Sequence, residues 1–252
     1  VDNRPTVLIA DIVATSPPDG YTLLLTGSAH WIGPLVEKMN YDAVRDFAAV
    51  TLVDRSPNVL VANPTLPVKS VRELIALAKS RPGDVNVAVG GPGSSNYVAA
   101  VLFEHLAQVR MTRISYKGNA PAITALLSGE VQLMFSSAGA VAPHMKSGRL
   151  RALGVSSAKP SPFAPGVPAI GESGVQGYVS EVLHAMYAPA KTPSAIVTRW
   201  NTEVGRYLRS AQARDIFLKA GIEPSPSTPE ELVEIMNAEV GRLTKVIKAA
   251  AR

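Results

Sequence analysis

Residues Val85–Gln108, VNVAVGGPGSSNYVAAVLFEHLAQ, decide how the rest of the chain is read. A short apolar run, VNVAV, suits a buried strand. The run stops at Gly90-Gly91-Pro92-Gly93-Ser94-Ser95, and a helix is expected from Asn96 to Gln108. Strand, glycine-rich turn and helix in direct succession make one βα unit. Glycines let a backbone bend close to a ligand, and a helix start presents unpaired N–H groups with a partial positive charge. Ser94 and Ser95 add hydroxyls, so the loop is suited to a carboxylate or a phosphate. A glycine-rich turn with a serine cap and no ligand fits the same residues. Nucleotide motifs fit poorly. A dinucleotide fingerprint needs a third glycine where Asn96 stands, and an acid after the next strand, where Tyr116-Lys117 stands. No Gly-Lys-Ser/Thr of a P-loop is present.

Outward from this unit the same alternation repeats. Strands are expected at 22–26, 47–53, 58–61, 112–116, 131–135 and 150–155, and helices at 120–127 and 141–146. Ser70-Val71-Arg72-Glu73 is a capping box that opens another helix. Residues 11–14 read as the tail of a helix, followed by the turn Pro17-Pro18-Asp19-Gly20. The Pro- and Gly-rich stretch 159–177 is expected to be an ordered surface connection. The run 179–188 is long for a single strand and could pass from one domain into another. Three helices follow, at 192–208, 211–220 and after the cap Thr228-Pro229-Glu230-Glu231. The pattern predicts an α/β chain with two lobes, each a mainly parallel sheet flanked by helices and linked by crossing strands. Ligands are expected beyond the carboxyl ends of the strands and between the lobes.

Composition narrows the function. Apolar residues are 46% and charged residues 18% of the 252, which excludes intrinsic disorder. Cysteine is absent, so disulfides, thiolate metal sites and cysteine nucleophiles are excluded. The net charge of +5 invites nucleic-acid binding, but the basic residues are scattered and aromatics are only 6%, so stacking platforms are missing. A modest positive field suits a small anion better.

Other strand ends repeat the polar theme: Thr26-Gly27-Ser28, Tyr116-Lys117-Gly118 and Ser136-Ser137. Each alone is an ordinary turn; together they are what a ligand cleft needs. Catalytic patterns are poor. The four histidines lack metal spacing, His184 is expected to be a packing residue in the crossing strand, and no GxSxG elbow exists. No catalytic residue, metal or cofactor is assigned.

The segments 18–24 (PDGYTLL), 57–61 (PNVLV), Gly93-Ser94-Ser95, Tyr116-Lys117-Gly118, 131–135 (VQLMF) and 148–153 (GRLRAL), with Tyr41-Asp42 through Asp46-Phe47, resemble the tripartite tricarboxylate receptor family. These are the periplasmic solute-binding proteins also called Bug or TctC-type receptors, and the resemblance runs in order along essentially the whole chain. It implies a two-lobed type II periplasmic-binding fold that captures a small carboxylate and serves a tripartite membrane transporter, or signals the ligand's presence. It further implies a monomer in the periplasm with no enzymatic activity. The expected lobes are 1–62 with 184–252, and 63–183. An enzyme or an effector-sensing domain on the same scaffold is the other reading.

Carried over by position, the ligand-binding residues are Thr26, Gly27, Ser28, Gly90, Gly93, Ser94, Ser95, Asn96, Tyr116, Lys117, Gly118 and Ser136. Charge-assisted hydrogen bonds contribute ~1.5–3 kcal/mol each, so three or four support micromolar affinity. Amino-acid-binding relatives carry Asp where this chain has Ser136, so a mono-, di- or aromatic acid is expected in place of an amino acid. The resemblance also implies a strand–helix–strand unit, with a ligand loop, ahead of Asp2-Asn3-Arg4-Pro5, and the join at Pro5-Thr6 reads as a gap. A chain that truly began at Val1 is expected to bind weakly, and its first sheet to have an uncovered edge.

Overall fold

The structure is a computed structural model that describes residues 6–35, 38–91 and 93–250, with side chains of 9–35, 38–91 and 93–247. The expectations placed on Asp2–Pro5 fall outside these residues. In chain order the elements are α1 (Thr6–Ala14), β1 (Leu24–Gly27), α2 (Ala29–Ile32), β2 (Phe47–Ala62), α3 (Val71–Ser80), β3 (Asn86–Val89) and α4 (Ser95–Ala107). Then follow β4 (Thr112–Ser115), α5 (Asn119–Ser128), β5 (Leu133–Ser137), α6 (Ala138–Lys146), β6 (Arg151–Val155) and β7 (Glu181–Pro189). The chain closes with α7 (Ser194–Leu208), α8 (Ala211–Lys219), β8 (Glu223–Pro224) and α9 (Pro229–Ala250).

The chain divides into two units, residues 1–55 with 183–251 (unit 1) and residues 56–182 (unit 2). It passes from one to the other inside β2 and again inside β7. The expected pair of strands at 47–53 and 58–61 is a single 16-residue strand. Pro57 lacks an N–H, but an extended backbone suits it, and the ladder to β5 begins one residue later at Asn58.

Unit 2 is a sheet in the order β4-β3-β5-β2-β6. Strand β3 is parallel to β4 and to β5. The 58–62 half of β2 is antiparallel to both β5 and β6. Four strands therefore point one way and one the other, a mainly parallel sheet as expected. In unit 1 the pairs of defined register, β1 with β7 and β2 with β8, are antiparallel, so the expectation does not extend to them.

Helices cover both faces of the unit 2 sheet. Successive residues of β5 alternate in direction. Met134 packs with Val59, Val61 and Val155 against Ala122, Ala125 and Leu126 of α5 and Val141 of α6. Phe135 packs oppositely, its ring 6.1 Å from Phe103 of α4 and 6.2 Å from Tyr178. Fully burying such a ring stabilises by about 1.5–3 kcal/mol. The 159–177 stretch is more than a surface connection. Ala164, Ala169, Ile170 and Val175 are buried, and Ala169 bridges Val155 in parallel.

Helix ends follow local chemistry. At α9, Thr228 Oγ1 accepts the Glu231 amide at 3.1 Å and Glu231 Oε2 accepts the Thr228 amide at 2.8 Å, a reciprocal capping box. Thr228→Ala should cost about 1 kcal/mol, read as a melting temperature about 2–4 °C lower. The Ser70 box is displaced by one residue. Ser70 Oγ accepts the Glu73 amide, but Glu73 Oε2 takes the Lys69 amide in place of that of Ser70.

Candidate functional site

Because β3, β4 and β5 are parallel and each runs into a helix, the starts of α4, α5 and α6 all lie at one edge of the unit 2 sheet, the carboxyl edge. None of the three has a side-chain cap: Ser94, Gly118 and Ser137 make no capping bond. Elsewhere, α3, α8 and α9 are capped by Ser70, Ser210 and Thr228, while the starts of α2 at Ser28 and α7 at Pro193 are also without a side-chain cap. Uncapped helix starts leave amide donors and partial positive charge unanswered, and three on one edge reinforce one another.

The glycine-rich loop at the first of these is folded by one side chain. Asn96 Oδ1 accepts from the Gly90 amide at 3.0 Å, the Ser94 hydroxyl at 2.7 Å and the Tyr97 amide at 2.9 Å. That uses the acceptor end of the Asn96 amide and leaves its NH2 end as a donor. A Cβ on Gly90 would lie 2.8 Å from Ser94 Oγ and 3.1 Å from Asn96 Oδ1, so the loop closes this tightly only over glycine. The hydroxyl proton of Ser94 goes to Asn96, and what Ser94 offers a ligand is therefore its position at the helix start. The Ser95 and Asn96 amides, with no intrahelical acceptor by their place in the first turn, are the donors of this loop. Gly93 is buried in the turn with φ of +80°.

At the second helix start, the Tyr116 ring packs against the core and its hydroxyl donates to Glu130 Oε1 at 2.7 Å. Its pKa is pushed up to about 12 by desolvation and by that carboxylate. Tyr116 is thus a supporting side chain. Lys117 is exposed beside it, and Gly118 is the N-cap of α5. At the third, Ser136 is buried and accepts from Asn119 Nδ2 at 3.4 Å.

The sequence reading missed Asn58. It is 1% exposed, pairs in register with Ser137 and donates its own amide to Ser156 Oγ at 2.7 Å, so it lies on the same edge. Its side-chain Nδ2 is buried without a partner among the described residues. A buried orphan donor costs about 1–3 kcal/mol unless something accepts from it. Its proximity to the edge arises from the antiparallel insertion of β2, which leaves no local signature. Charge agrees with the site. Residues 56–182 hold 11 Lys and Arg against six Asp and Glu, while the rest of the chain is balanced at 14 of each, so the whole net positive charge belongs to unit 2.

The remaining predicted residues, Thr26, Gly27 and Ser28, end β1 in unit 1. Thr26 and Ser28 are buried, and the Ser28 amide donates to Leu183 O at 3.0 Å. His184, expected to be a packing residue, is instead hydrogen-bonded to a carboxylate. Its Nδ1 lies 2.8 Å from Asp54 Oδ1, and its side chain is 41% exposed against 9% for Asp54. The Asp54 hydrogen bond raises the imidazole pKa above its ordinary value, with burial opposing. Asp54 and His184 are 130 residues apart, beyond the reach of spacing arguments.

An α/β chain whose parallel strands deliver uncapped helix starts to one edge is built as a receptor for an anion. The family model described as "Tripartite tricarboxylate transporter family receptor" matches residues 1–251, and the chain belongs to that family. It is 33% identical to BugT of Bordetella pertussis over 245 residues, 96% of this chain and 75% of that protein. Its fold is similar to that of R. palustris Rpa4515 with adipate, at TM-score 0.89 and 35% identity, covering 97% of this chain and 82% of that one. MatC from Rhodopseudomonas palustris with bound malate gives TM-score 0.86 and 28% identity, over 96% and 84%. These likenesses bear out the two-lobed periplasmic-binding fold class expected from the sequence.

Proposed function

We propose that this chain is an extracytoplasmic receptor that captures a plain mono-, di- or aromatic carboxylate for a tripartite tricarboxylate-type transporter. The carboxylate is held at the carboxyl edge of unit 2. The observation that carries this reading is the set of three uncapped helix starts there, with the orphan Asn58 Nδ2 beside them. Amides at Ser95 and Asn96, the Asn96 NH2, Gly118 and Ser136 bind the anion, and Lys117 adds attraction at longer range.

Ser136 supports a plain acid over an amino acid. A serine cannot balance a ligand ammonium as a carboxylate can, and its hydroxyl already has Asn119 as a neighbour. Rpa4515 with adipate and MatC with malate, both dicarboxylate complexes, support the same class. The receptor acts as a monomer, with no nucleic-acid partner.

Isothermal titration with adipate, malate, benzoate, aspartate and glutamate at pH 7 tests the proposal. Micromolar binding of one or more of the first three is expected, about −8 kcal/mol, with the amino acids at least tenfold weaker. Tight aspartate or glutamate binding without a response to the plain acids would overturn it.

A further inference from the structure

We propose that the carboxyl edge of unit 2 receives two carboxylates of one ligand, the second at Asn58 and Ser137, so that short dicarboxylates are selected over monocarboxylates. This deepens the carboxylate reading above and rests on it. Every group it uses lies within unit 2.

Strand alternation sorts the donors by face. Val59 and Val61 of β2 share the α5 and α6 side of the sheet with Met134 of β5. Asn58 and Leu60, with their register partners Ser137 and Phe135, therefore point to the other side. That is the α4 side, where the Phe135 ring meets Phe103. The uncapped α4 start and the Asn58 side chain thus stand on one face of one edge. Ser136 and Asn119 occupy the opposite face, where the Asn119 amide donates to the serine hydroxyl at 3.4 Å.

Asn58 is held for a task its own fold does not use. Its backbone amide donates to Ser156 Oγ at 2.7 Å and its carbonyl accepts the Ser156 amide at 2.8 Å. The main chain is satisfied while Nδ2 stays buried with no partner among the described residues. An N–H needs an acceptor, and a carboxylate offers only acceptors. Beside it Ser137 makes no capping bond, and the first amides of α6 follow directly. These groups form a second donor set, apart from the Asn96 loop.

The spacing of the two sets suits a diacid. Asn96 Oδ1 accepts the Gly90 amide at 3.0 Å, which ties the α4 start to the end of β3. One strand, β5, separates β3 from β2, so the sets lie two strand spacings apart, about 10 Å. A hydrogen bond of about 3 Å at each end leaves about 4 Å or a little more for the ligand's carbon chain. With C–C bonds of about 1.5 Å, roughly four to six carbons fill it. A monocarboxylate answers one set and leaves Asn58 unanswered.

The test is calorimetry at pH 7 on the full chain, with succinate, malate, glutarate and adipate against butyrate and hexanoate, beside thermal unfolding. The native protein should bind at least one diacid about tenfold or more tighter than either monoacid. Asn58→Leu keeps the bulk and removes the donor. It should weaken that diacid by about tenfold or more, leave the monoacids within about twofold, and melt no lower than the native protein, because the orphan is gone. Asn58→Asp puts an anionic oxygen in place of the NH2 and should reject diacids more strongly still. Ser137→Ala, a half-buried hydroxyl removed from the same set, should lower the diacid preference by about two- to fivefold. An unchanged preference in Asn58→Leu would mean that a buried water serves the donor, and would overturn the proposal. So would equal losses for both acid classes, or native monoacid binding as tight as that of the diacids; in each case the carboxylate reading stands. Failure of every acid to bind the native chain would overturn that reading too.

Discussion

Lowering the pH from 7 to 4 should remove about 3 kcal/mol of stability through one residue, His30. The side chain is 0% exposed, and neither ring nitrogen has a hydrogen-bond partner among the described residues. It lies among Tyr41, stacked at 4.9 Å, Phe47, edge-on at 4.6 Å, and Tyr187 at 4.9 Å. A neutral imidazole tolerates that aromatic setting; a cation without solvent or a partner does not. Desolvation lowers its pKa from 6.5 to about 4, with the Ala43 backbone opposing it. The folded pKa is below the unfolded one. The unfolded chain therefore takes up the proton first as pH falls, and stability is intact above pH 6.5, declines towards pH 4 and levels off below it. A 2.5-unit difference at about 1.36 kcal/mol per unit gives the figure of about 3 kcal/mol. His184 runs the opposite way: its raised pKa contributes stability below 6.5 that is lost as pH rises through the folded value. The two histidines of unit 1 together favour a stability maximum in mildly acidic solution. Urea unfolding followed by circular dichroism at half-unit intervals from pH 4 to 8 measures this. His30→Phe, an aromatic that fits the same surroundings without orphan nitrogens, should flatten the slope between 6.5 and 4. An unchanged slope in that variant would remove His30 as its source.

His30 also marks where sequence reasoning stops. Alternating apolar runs and capped amphipathic segments place the βα units of 85–155, because strand period, glycine turns and caps are local signals. The turn at 90–96 is readable for the same reason: glycines between a strand and a helix mark a local bend. What is not local is not readable. Residues 47–62 form one strand because both halves find ladders, with β8 at Asp54-Arg55 and with β5 and β6 from Asn58. The local cue, Ser56-Pro57, argues for a break. The roles of His184 and Asn58 depend on partners brought near by topology alone. Ser94 shows a subtler limit. A hydroxyl at a helix start reads as a ligand donor, and only the geometry reveals that its proton belongs to Asn96. Asn96 itself carried a usable signal, since an Asn in the first turn can accept from amides upstream of it.

Removing that one acceptor should abolish most carboxylate binding while leaving the fold standing. In Asn96→Leu the Gly90 amide, the Ser94 hydroxyl and the Tyr97 amide lose their common acceptor, and the Asn96 NH2 is lost as a donor. In the proposed site the ligand would lose one charge-assisted hydrogen bond outright, ~1.5–3 kcal/mol, and the positioning of the Ser95 and residue-96 amides proposed to form others. A hundredfold or larger rise in Kd is expected. The stability cost is smaller, about 1–3 kcal/mol, because the Gly90 and Ser94 groups are only partly buried and water can replace the lost acceptor. Gly90→Ala approaches the same loop from the other side. Its Cβ would need space already held by Ser94 Oγ at 2.8 Å and Asn96 Oδ1 at 3.1 Å, so both must shift while every hydrogen-bonding group is retained. A tenfold or larger loss of affinity with a nearly unchanged melting temperature is expected. Ser94→Ala supplies the contrast. Because its proton serves Asn96, the direct loss to the ligand is small, and a change below about fivefold is expected, under 1 kcal/mol. Calorimetry with adipate and malate, beside thermal unfolding of each variant, separates these effects. If Ser94→Ala weakened binding more than Asn96→Leu, the serine hydroxyl would be the ligand's donor and the Asn96 staple a matter of folding alone.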